Sequence, residues 1–66
     1  MYVIAVYDME AERTQKMLKL LRQYLTHVQN SVCEGKLTKG ELQALKDEIE
    51  DVVKSHESVI LYELRD

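Results

Sequence analysis

The sequence predicts an α+β sandwich: a small antiparallel sheet with two helices on one face. Three observations carry this. Two short segments, "YVIAVYD" and "SVILYEL", are apolar at both odd and even positions, as strands buried on both faces are. Two longer segments have apolar residues at helical spacing. The segments alternate in the order β, α, β, α, β, with the middle β-region open to division.

Residues 2 to 8 form the first strand. Tyr2, Ile4 and Val6 share one face with Asp8, while Val3, Ala5 and Tyr7 share the other. β-Branched and aromatic residues suit a pleated surface, and apolarity on both faces places this strand centrally. Residues 11 to 25 form a helix. Met17, Leu18, Leu20, Leu21, Tyr24 and Leu25 make its apolar stripe, and Arg13, Lys16, Lys19 and Arg22 recur on the polar side.

Residues 27 to 33, "HVQNSVC", read as one bent strand or as two short ones meeting near Asn30, and Gly35 supplies a turn signal. In "LTKGELQALKDEIEDVVKSH", Thr38 and Glu41 form a capping box. Leu42, Leu45, Ile49, Val52 and Val53 form the apolar stripe, and Lys54 and His56 suit the negative pole at the helix end. Residues 58 to 64 are the last strand. With the middle region split, the order becomes βαββαβ, the ferredoxin-like arrangement, in a single domain spanning residues 1–66. Its helices cover one sheet face, and apolar residues on the other favour a second copy of the chain.

Size points the same way. A 66-residue chain buries only about 60% of its unfolded surface, so small domains lean on a disulfide, a metal or a partner subunit. One cysteine permits no internal disulfide, and two distant histidines with one cysteine make no structural zinc site. A homodimer is the remaining expectation. The apolar run "YVIAVY" is far short of the roughly 20 residues of a membrane span, and a lone thiol fits a cytoplasmic protein. A net charge of −3 argues against strong non-specific nucleic-acid binding by the whole surface.

Asp8 is the principal candidate for chemistry. At the C-terminal end of a central strand it either caps the following turn or helix or serves as a hard oxygen ligand suited to Mg²⁺. One carboxylate makes a poor site, and two across a dimer axis make a plausible one. Arg13, Lys16, Lys19 and Arg22 either meet phosphates or form a solvated helix face, to which the Glu12–Lys16 spacing belongs. Cys33 reads as a small buried residue, and His27 and His56 as surface or capping residues. Tyr2, Tyr7, Tyr24 and Tyr62 read as core or sheet residues, and Glu48, Glu50 and Asp51 as a solvated run. The chain carries no phosphate-binding glycine loop, nucleophile elbow or Cys-x-x-Cys pair, and no residue is assigned as catalytic.

"MYVIAVYDM" before a basic-faced helix, "VQNSVCEGKLT" before a capped helix, and the closing "SVILYEL" resemble, in this order and over nearly the whole chain, the CRISPR-associated adaptation protein family Cas-two. The resemblance implies a ferredoxin-like homodimer with Asp8 of each chain near the two-fold axis, holding a divalent metal, Mg²⁺. It implies a role in spacer acquisition, where the dimer bridges dimers of the Cas-one integrase on a DNA duplex. It also implies metal-dependent endonuclease activity on RNA or DNA in some members, by in-line attack of a metal-activated water, with Arg13 and Lys16 holding phosphates. In the integrase complex the Asp8 position need not be catalytic. His27, Asn30 and Cys33 stand where family members often carry arginine, tyrosine and phenylalanine, which weakens the case for nuclease activity. The sequence stops at Asp66, where many members run on into a further strand. A small dimeric ligand- or partner-binding module unrelated to CRISPR is the alternative.

Overall fold

The computed structural model describes residues 1–65; Asp66 lies outside them. The elements are β1 (Tyr2–Asp8), α1 (Ala11–Leu21), β2 (Thr26–Gln29), β3 (Val32–Lys36), α2 (Lys39–Val52) and β4 (Ser58–Leu64). The four strands form one antiparallel sheet in the order β2-β3-β1-β4. This is the ferredoxin-like βαββαβ sandwich that the element order predicts, with β1 central.

Strand alternation sorts β1 as expected. Val3, Ala5 and Tyr7 are buried against the helices together with Cys33 of β3. Met17, Leu20 and Leu21 of α1, Leu25, Leu37, and Leu42, Leu45 and Ile49 of α2 complete this core. The opposite face is uncovered. There Val6 lies between Val32 and Ile60, Ile4 between Glu34 and Tyr62, and Tyr2 between Lys36 and Leu64. Ile60, Tyr62 and Leu64 are about half exposed, an arrangement that a lone soluble domain rarely leaves open.

Three details differ from the sequence expectations. First, α1 ends at Leu21 rather than at 25. Gln23 and Tyr24 donate their N–H groups to the Leu20 and Leu21 carbonyls at 3.1 and 3.0 Å, so the last turn tightens before Leu25 enters the core. Second, the middle region takes the two-strand reading, with its reversal at Asn30 and Ser31, and the turn signalled at Gly35 does not form. Asn30 takes a positive φ of 36°, which asparagine tolerates better than most residues. Two strands therefore flank the turn, and Gly35 lies within β3. Third, α2 stops at Val52. Val53 is extended, and Lys54 and His56 fall in the following turn rather than at a helical pole. The capping box at the other end is complete, with Thr38 Oγ1 accepting from Glu41 N at 3.1 Å and Glu41 Oε1 from Thr38 N at 2.8 Å.

Candidate functional site: the Asp8 end of the sheet

Asp8 closes the row Tyr2–Ile4–Val6 on the bare face, where it pairs with Ser58 of β4. It is exposed, and its carboxylate accepts no hydrogen bond among the described residues. The capping role is not taken. The N-cap of α1 is Glu10, which makes no side-chain cap bond either. Asp8 thus presents an unspent carboxylate at the edge of an apolar surface.

The β2–β3 turn closes one side of this end. Tyr7 N donates to Ser31 O at 3.0 Å, and Tyr7 Oη donates to Asn30 O at 3.4 Å. The same carbonyl accepts from His27 Nε2 at 2.8 Å; since a carbonyl only accepts, that nitrogen carries the proton. Burial pushes the Tyr7 phenol up, with the neighbouring Cys33 adding to the effect. His27 therefore sits on the surface as a brace for the turn.

The other side is closed by Arg13 and Glu57. Arg13 Nε donates to Glu57 Oε2 at 2.5 Å and Nη2 to Glu57 Oε1 at 3.1 Å. Nη2 also donates to the Val52 carbonyl at 2.7 Å. Glu57 Oε1 accepts in addition from Lys54 N at 2.9 Å. The Glu57 side chain is fully enclosed, and that of Arg13 is 17% exposed. The hydrogen bonds from Arg13 hold the Glu57 carboxyl below the ordinary glutamate range and raise the arginine in turn. Nothing in the linear spacing of Arg13 and Glu57 signals this pair. A lone acid before a strand has no motif, so sequence reading missed Glu57.

The remaining candidates are placed as follows. Lys16, Lys19 and Arg22 are exposed along α1, and Lys19 and Arg22 border a shallow groove with Gln15 and Leu18. Cys33 is fully buried, and burial pushes its thiol up, away from the nucleophilic thiolate. Glu48 is not simply solvated, since it accepts from the Tyr24 hydroxyl. Tyr62 is a sheet residue but half exposed, on the bare face. Among the described residues no three His, Cys, Asp or Glu side chains converge as a metal site, and no helix is long and apolar enough to cross a membrane.

Fold and site together define a small ferredoxin-like domain with an uncovered apolar sheet face and an unpartnered carboxylate at the end of its central strand. The model of the family described as CRISPR associated protein Cas2 matches residues 1–66, and the chain belongs to that family. It is 42% identical to a CRISPR-associated endoribonuclease Cas2 of Pyrococcus furiosus, covering 98% of this chain and 78% of that one. It is 47% identical to the protein of the same name from Dictyoglomus turgidum, over 98% and 76%. A crystal structure of cas2 superposes with a TM-score of 0.89 at 47% identity, over 94% of this chain and 71% of that one. Streptococcus pyogenes Cas2 at pH 6.5 superposes with 0.87 at 29% identity, over 98% and 87%. The alternative of a module unrelated to CRISPR is set aside.

Proposed function

We propose that this chain acts in CRISPR adaptation as a homodimer that bridges dimers of the Cas-one integrase on a captured DNA duplex, in the cytoplasm. The observation that carries this reading is the uncovered row Val32–Val6–Ile60, bordered by the unpartnered Asp8. An apolar sheet face is self-complementary when two copies meet about a two-fold axis. Such a pairing removes the exposed apolar groups from water, and with its axis near the end of β1 it would bring the two Asp8 residues to the same seam. Lys16, exposed on α1, meets phosphate as a point charge. Arg13 joins it only with the part of its fork not engaged by Glu57 and Val52.

A second reading is Mg²⁺-dependent cleavage of RNA or DNA. It is favoured by the relatives' name, endoribonuclease, and by the unspent Asp8 carboxylate. Among the described residues one chain gathers no three such donors for a divalent ion. Two Asp8 carboxylates would suit Mg²⁺, which keeps several waters and takes few protein ligands. Mg²⁺ bound there supplies positive charge against the phosphodiester and acidifies a bound water. The residues of this chain position that charge through the end of β1.

The test is spacer integration in vitro with a Cas-one integrase, a short duplex and Mg²⁺, alongside cleavage of labelled RNA and DNA by the dimer alone. Asp8→Ala is expected to remain dimeric, to support integration and to abolish any cleavage. Loss of integration by a dimeric variant would overturn the scaffold reading of Asp8. Cleavage that survives in the variant would overturn the second reading.

A further inference from the structure

We infer that Arg13 is a positioning residue for Asp8, acting through Glu57, rather than primarily a phosphate contact. The inference rests on the reading of Asp8 as the functional carboxylate.

The position of Asp8 is set by backbone, since its side chain has no partner among the described residues. Two chain segments leave this rung of the sheet. One runs from Asp8 through Met9 and Glu10 into the first turn of α1, where Arg13 N donates to Glu10 O at 2.9 Å. The other runs back from Ser58, the strand partner of Asp8, to Glu57. The Arg13–Glu57 pair ties these two segments together 44 residues apart in the chain. The covalent path from Asp8 to Arg13, the ion pair, the peptide from Glu57 to Ser58 and the β-rung close a ring around the end of β1. His56 and Glu10 approach to 3.6 Å across the same junction.

The fork geometry matters here, not only the charge. Nε and Nη2 make three bonds, two to one carboxylate and one to the Val52 carbonyl that ends α2. A planar guanidinium meets this set in one orientation, and a lysine ammonium cannot reproduce it. Glu57, with its side chain fully enclosed, has no access to a nucleic acid, so any effect of changing it on the Asp8 site must travel through the clamp.

The experiment compares dimeric wild type with Glu57→Gln and Arg13→Lys. Amide hydrogen exchange is read residue by residue, Mn²⁺ is titrated while the resonances of residues 7 to 9 are followed, and affinity for a short DNA duplex is measured. Both variants are expected to exchange faster at Asp8 and Ser58, the rung that closes the ring, with Ala5 and Cys33 unchanged as the internal measure of folding. Both are expected to bind Mn²⁺ at least about tenfold more weakly, as changes to the groups that orient a ligand do, and Glu57→Gln, whose side chain is enclosed, is expected to keep its duplex affinity. Wild-type exchange at residues 8 and 58 in both variants would overturn the inference. So would a gain in duplex affinity in Glu57→Gln, the mark of an arginine released to phosphate. If wild type shows no Mn²⁺ effect near Asp8, the metal reading falls, and the exchange data still decide the role of Arg13.

Discussion

Gly35 lies directly beneath Leu25: a Cβ built on Gly35 would sit 3.3 Å from Leu25 Cδ2 and 3.6 Å from its Cα. This contact lets the chain leaving α1 rest on β3 before it turns into β2. Gly35→Val is therefore expected to lower stability by about 1–3 kcal/mol through overpacking. Urea denaturation checks it, and an unchanged midpoint would show that the connection moves aside freely.

The capping box of α2 makes a second expectation. Thr38→Ala removes the acceptor for Glu41 N and is expected to cost about 1 kcal/mol. The helix start faces away from the Asp8 end, with β1 between them, so the same variant is expected to leave duplex affinity at the wild-type value. Thermal unfolding and a binding titration together test this.

The acid limb of stability follows from Glu57. Its carboxyl is held below the ordinary value by the Arg13 hydrogen bonds, which outweigh the upward push of burial. A depressed carboxyl contributes stability that is complete above the unfolded value, about 4.3, and is lost as pH falls through the lower folded value. Stability is thus expected to fall in the range below about pH 4. Glu57→Gln is expected to be less stable at neutral pH and to show a flatter acid limb. Equal acid slopes in the two proteins would contradict the assignment.

Much of the fold was legible because each element carried its own local signal. The continuous apolar run of "YVIAVYD", closed by Asp8, marked β1 with its limits, and Thr38 with Glu41 marked the start of α2 to the residue. Gly35 misled because glycine marks both turns and close approaches, and only the packing of Leu25, ten residues away in sequence, decides between them. Asp8 was legible as a candidate from its place at the end of a two-faced apolar strand. Whether it capped α1 was not, since capping depends on the path of Met9 and Glu10. The Arg13–Glu57 pair was illegible, because it joins residues from opposite ends of the chain that meet only after β4 pairs with β1.

The uncovered sheet face bears the central claim. Ile60 is 49% exposed in the single chain and stands beside Val6 in the middle of the apolar row. Ile60→Glu changes a surface position of the monomer and is expected to spare the fold while placing a charge on each side of the seam, where burying it unpaired is costly. The most direct measurement is the solution mass of wild type and Ile60→Glu by light scattering, followed by spacer integration with the integrase. A dimeric wild type that supports integration and a folded, monomeric variant that does not are the predicted results. A monomeric wild type, or a monomeric variant that integrates as well as wild type, would contradict the account.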